Sequence, residues 1–119
     1  MEQRFSQRMP VDIKILIYRY CIPIAVGRIK NGTQYGLYIE SEFIGVRAFQ
    51  LLCLEVLFYS PLHILQHFKF NTIVTRTTNN GFGVELDELE GINDQLCELL
   101  RDTPLTPQES ELNKIVAAA

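Results

Sequence analysis

The chain has 119 residues, 47% of them hydrophobic and 21% charged, with a net charge of −3. That is enough chain to bury a core without metal or disulfide staples, and it matches the composition of one ordinary globular domain. The charge is uneven: residues 1–30 hold six Lys and Arg against Glu2 and Asp12, whereas residues 85–112 hold nine acids and only Arg101. The basic end suits a small anionic ligand, and the acidic end excludes the broad basic face that a nucleic-acid duplex requires.

Met1–Asp12 lacks the charged-then-apolar layout of a secretory leader, and no apolar run is long enough to span a bilayer. A cytoplasmic domain without membrane insertion is expected. Cys21, Cys53 and Cys97 are widely spaced and odd in number, so reduced and mostly buried thiols are expected.

In chain order, Arg4 and Arg8 come first, on an N-terminal arm, and their planar forks can each grip a phosphate bidentately or meet a guanine edge. Val11, Ile13, Ile15 and Ile17 then alternate with Asp12, Lys14, Leu16 and Tyr18, the period of a half-buried strand. A second strand is predicted over Ile22–Lys30, with Pro23 marking a strand start or an edge. Asn31-Gly32-Thr33-Gln34-Tyr35-Gly36 reads as the following turn, and Leu37–Glu40 as the return strand. Asn31 offers an amide and Thr33 a hydroxyl to a ligand, while Gly36 lets the backbone approach closely.

Phe49–Tyr59 and Ile64–Thr77 read as two more strands separated at Ser60-Pro61, and Asn79-Asn80-Gly81 as a turn before Phe82–Leu86. Six strands of this kind predict a small antiparallel β-barrel, which removes the exposed edges of so apolar a strand set. The phenylalanines are assigned mostly to inward strand positions. Leu89, Ile92, Leu96, Leu99 and Leu100 then recur at helical spacing, predicting an amphipathic helix to about Arg101 that packs across one opening of the barrel. Thr106-Pro107-Gln108-Glu109 has the layout of a capping box with proline at the first helical position, starting a short helix to about Val116. Its narrow apolar face, Leu112, Ile115 and Val116, leaves three outcomes open: docking on the domain, homodimer formation, or fraying. The barrel with its packing helix is assigned to residues 1–102, and a helical extension to 103–119.

Arg4-x-x-x-Arg8 followed by Asn31-x-Thr33-x-x-Gly36 resembles the signature of the bacterial PilZ domain, Arg-x-x-x-Arg and then Asp/Asn-x-Ser-x-x-Gly about one strand pair later. Phe82-Gly83-Val84-Glu85-Leu86 is similar to that family's closing strand. The resemblance implies a mainly β PilZ-type barrel that binds the second messenger cyclic di-GMP, without catalysis or cofactor, and transmits binding to a protein partner. It places Arg4 and Arg8 on phosphates and guanines, Asn31 and Thr33 on a guanine edge, Gly36 in the turn, and Arg76 within reach of a guanine. Asn31 stands where the family more often has aspartate, Thr33 where it has serine, and Gln3 where many members have another arginine. These replacements frame the alternative, a PilZ-like interaction module that has lost nucleotide binding. His63 and His67 are four apart but have no carboxylate beside them in sequence, and no serine or cysteine has a histidine and acid arranged around it, so neither a metal site nor an enzyme is expected.

Overall fold

The computed structural model describes residues 9–32, 36–43, 45–86, 98 and 106–119. Strands β1 (Met9–Arg19), β2 (Ile22–Gly32), β3 (Gly36–Glu40), β4 (Leu51–Tyr59), β5 (Leu65–Thr77) and β6 (Gly81–Leu86) are followed by helix α1 (Glu109–Ala117). The strands close a barrel in the order β1-β2-β3-β6-β5-β4, and every neighbouring pair is antiparallel. The seam between β1 and β4, from Ile15↔Val56 to Tyr18↔Cys53, shuts the ring. The six-stranded antiparallel barrel expected from the period-two runs is therefore the fold.

The inward residues are those the alternation selects. Ile13, Ile15 and Ile17 of β1 meet Ile29, Ile39, Leu54, Val56, Val74, Phe82 and Val84 in one buried cluster. β-branched side chains have few rotamers to lose on a pleated surface, so this packing orders them cheaply. Register shifts between Ile17 and Tyr18 in β1, Ile29 and Asn31 in β2, and Val74 and Arg76 in β5 supply the local coiling that closure demands. Pro23 lies opposite Tyr18 at the first of these irregularities. Its missing N–H falls at the start of a strand that has neighbours on both sides, so it does not mark an edge.

Phe43 and Val46 of the β3–β4 loop pack against the core. Ser41 Oγ holds this loop in place, donating to the Val26 carbonyl at 3.0 Å and accepting from the Phe43 N–H at 3.2 Å. Phe70 and Phe82 are buried, but Phe49 stands out in solvent, against the inward assignment. It belongs to the loop preceding β4, where strand alternation has no hold. Cys21 is likewise exposed, in the β1–β2 turn, and Cys53 is half-buried on β4, so the expectation of mostly buried thiols fails for the described cysteines. Cys97 and the helix expected between Leu89 and Arg101 lie outside the described residues, apart from Glu98, as does the boundary drawn near residue 102.

The last helix starts later than its sequence layout suggests. Gln108, extended at φ −69° and ψ 153°, is the N-cap. Its N–H donates to Glu111 Oε1 at 3.0 Å, so Gln108 and Glu111 take the roles expected of Thr106 and Glu109. Pro107 precedes the cap and holds Thr106 out of the helical region. The helix lies against β1 and β2 with Leu112 buried, and Arg28 bridges Glu109 at 2.9 Å and Asp12 at 3.3 Å. Of the three outcomes left open, docking is the one observed. No helix among the described residues is long and apolar enough to cross a membrane.

Candidate functional site

The barrel register places the described ligand candidates in neighbouring strands. Asn31 of β2 pairs with Pro10 of β1 and Tyr38 of β3, Tyr38 pairs with Gly83 of β6, and Gly83 with Arg76 of β5. One row across four strands thus connects Asn31 to Arg76, which are 45 residues apart in sequence. Gly36, the first residue of β3, lies two residues along the strand from this row, opposite Glu85. Asn31 and Gly32 continue β2 as strand, so the connection is shorter than the six-residue turn expected. Arg4, Arg8 and Thr33 lie outside the described residues. Their points of attachment are described: Met9, which follows Arg8 in the chain, pairs with Gly32, which precedes Thr33. The two halves of the motif are therefore rooted side by side on adjacent strands.

The surface of the row is built around Tyr38. Leu37 and Ile39 point into the core, so Tyr38 between them faces outward. The Thr78 hydroxyl donates to the Gly81 carbonyl at 3.2 Å, which leaves the Tyr38 hydroxyl to donate to Thr78 Oγ1 at 2.7 Å. The ring is thereby tethered at its tip. Arg76 Cζ lies 5.8 Å from the ring centroid, within cation–π range. Gly83 makes this placement feasible, because a Cβ there would come within 3.3 Å of Arg76 Nε. At Gly36 the constraint is structural: a Cβ would sit 3.0 Å from the Val84 carbonyl oxygen and press β3 away from β6. The row offers a planar cation and a tethered aromatic ring, a pairing suited to a purine or another flat anionic ligand. Sequence reading missed Tyr38, although its position two residues past Gly36 on an alternating strand was the available signal.

A second polar cluster joins β1, β4 and β5. Glu55 projects from the outer face of β4 yet is only 7% exposed. Tyr18 Oη donates to its Oε1 at 2.6 Å, His67 Nδ1 lies 3.2 Å from its Oε2, and Lys69 Nζ sits 4.4 Å from the centroid of the Tyr18 ring. Burial first, and then the hydrogen bond and charge of Glu55, push the Tyr18 phenol far above the ordinary tyrosine range. Burial also raises the neighbouring Cys53 thiol, although the Lys69 charge opposes it. The carboxylate that sequence did not show beside His67 is thus Glu55, twelve residues earlier and brought close by the β4–β5 pairing. His63 sits instead in the β4–β5 connection at φ 62°, and no group of potential metal ligands occurs among the described residues. With every partner supplied from within the barrel, this cluster fastens three strands.

No protein-family model matches this chain, and no curated protein matches it.

Proposed function

We propose that the chain is a cytoplasmic PilZ-type receptor for cyclic di-GMP that passes the binding signal to a protein partner. The observation supporting this most is the row from Asn31 through Tyr38 and Gly83 to Arg76, adjoining the Met9–Gly32 pair at which both halves of the arginine and turn motif attach. In this reading Arg4 and Arg8 clamp phosphates and guanines, Asn31 and Thr33 accept from and donate to a guanine edge, and Arg76 meets a guanine from β5. Ordering the basic arm over the ligand would change the surface shown to the partner.

The test is isothermal titration of cyclic di-GMP into the wild-type protein, with GTP as control ligand. Saturable binding that disappears in Arg8→Ala and weakens about tenfold in Arg76→Ala is expected, since a lost charge-assisted contact costs on the order of 1.4 kcal/mol or more. Asn31→Asp should tighten binding several-fold, because a carboxylate accepts guanine N–H groups more strongly than an amide. Silence of the wild-type protein at several hundred micromolar ligand would overturn this reading. It would favour the interaction module without a nucleotide, whose supporting observation is the apolar trough of about 710 Å³ lined by Tyr20, Leu51 and Ile73.

A further inference from the structure

Arg76 reaches the Tyr38 ring from two strands away, and the strand between them is shaped to let it pass. β5 is irregular at this point, with Val74 opposite Val84 but Arg76 opposite Gly83. The extra residue, Thr75, turns Arg76 to the outer face, where its side chain crosses Gly83. A Cβ on Gly83 would lie 3.3 Å from Arg76 Nε and 3.4 Å from its Cγ. Gly83 is accordingly buried, although its neighbours Phe82 and Val84 are the residues of β6 that fill the core.

The two groups that meet over this glycine are held very differently. Arg76 is exposed, and among the described residues no carboxylate lies within ion-pair distance of its guanidinium, in contrast to Arg28. Its neighbour is the face of Tyr38, 5.8 Å away at the outer end of cation–π range, where an exposed pair is weak. Tyr38 is half-buried, and the Thr78 hydroxyl that accepts from its Oη is itself fixed. That hydroxyl also accepts from the Asn80 N–H at 3.3 Å, and the Thr78 N–H donates to the Gly81 carbonyl at 2.8 Å. A fixed aromatic ring is thus covered by a cation that little else in the described chain holds.

We infer that Tyr38 is the base platform of the cyclic di-GMP site proposed above, on which reading this inference rests. A guanine takes the place of the guanidinium on the ring, and Arg76, released, meets the ligand's phosphate or guanine O6/N7 edge. Displacement is required because a base cannot enter between the two. Stacked carbon atoms pack about 3.5–4.0 Å apart, so a base with one group on each face would set those groups roughly 7–8 Å apart, against the 5.8 Å observed. The exchange is favourable because a base stacked on an aromatic side chain is held more strongly than an exposed cation–π pair. The tether also spares the ring the ordering that a free side chain would undergo on binding. Stacking accepts every base, so Tyr38 supplies affinity, while Asn31, opposite it on β2, and Arg76 select the base.

The test titrates cyclic di-GMP into the wild-type protein, Tyr38→Phe and Tyr38→Leu, and follows ligand and arginine side-chain protons by NMR. Tyr38→Leu should weaken binding at least about fivefold, and Tyr38→Phe, which keeps the ring and loses the tether, by less. Far-UV circular dichroism should be unchanged in both, since the side chain points outward. Guanine H8 should move upfield on binding to wild type and Tyr38→Phe, through the ring current of the platform, and not on binding to Tyr38→Leu. The Arg76 Nε–H signal, assigned by its loss in Arg76→Ala, should be shielded by the ring in the free protein and lose that shielding at saturation. Silence of the wild-type protein towards the ligand would overturn the receptor reading and this inference with it. Binding indifferent to Tyr38→Leu, or an Arg76 Nε–H that stays shielded at saturation, would overturn this inference alone and leave the receptor reading standing.

Discussion

Removing one hydroxyl, in Tyr18→Phe, takes the shortest side-chain hydrogen bond from Glu55, a carboxylate that is only 7% exposed. A hydrogen bond to a charged group contributes about 1.5–3 kcal/mol, and a buried acceptor that loses one adds its own desolvation cost. His67 still reaches the second oxygen at 3.2 Å and Tyr18 is only half-buried, so the lower end, about 1.5–2 kcal/mol, is expected. For 119 residues an unfolding entropy of about 2.1 cal/mol/K per residue gives about 0.25 kcal/mol per degree, so Tm should fall by about 6–8 °C. Urea titration followed by far-UV circular dichroism measures the free energy and a thermal scan the Tm. The pair with Glu55→Gln closes a double-mutant cycle whose coupling should be about 1 kcal/mol.

The same hydroxyl predicts a pH dependence. Unfolded Tyr18 releases its proton near pH 10 (about 10 for a free tyrosine), while the native phenol, pushed upward chiefly by burial and then by Glu55, retains it. Above that pH the unfolded state binds fewer protons than the native one, so stability falls as pH rises, and below it the contribution is complete. Tyr18→Phe should lack this part of the alkaline loss. A Tm change below about 2 °C, an additive double mutant, or identical alkaline slopes in wild type and variant would refute the account of the network.

Three further outcomes follow from the packing. Leu112→Ala should cost about 2–3 kcal/mol by urea titration, because the side chain is buried between α1 and the barrel, while Glu109→Gln should cost less than about 1 kcal/mol, since its pair with Arg28 is exposed. Gly81→Ala should destabilise by at least about 2 kcal/mol or prevent folding, because a Cβ there runs into the Ile39 carbonyl oxygen and forces β6 from β3. Iodoacetamide at pH 8, followed by peptide mass spectrometry, should modify exposed Cys21 well before Cys53, whose thiol burial pushes up.

The barrel was legible because its information is local and repeated. Ile13, Ile15 and Ile17 point one way whatever their partners, and the same holds for Leu52, Leu54 and Val56, so the period of two yields strands and their inward faces from sequence alone. Asn79-Asn80-Gly81 marked a reversal for an equally local reason. The rest of the expected helix boundary was less secure: Thr106 and Gln108 both head acceptable capping patterns, and only the docked position of α1, with Leu112 buried and Glu109 at Arg28, shows that Gln108 is the cap.

Closure of the ring decided what local pattern could not. Register between strands distant in sequence depends on bulges and barrel stagger, which leave little trace in any single segment. That register puts Asn31 in line with Tyr38, Gly83 and Arg76, and carries Tyr18 and His67 to opposite oxygens of Glu55. It also sets Tyr20 beside Leu51, two exposed residues that no periodicity connects. Sequence determined which residues turn inward, since that is a property of each strand by itself. Tertiary structure alone decided which outward residues meet, since that depends on how six strands close on one another.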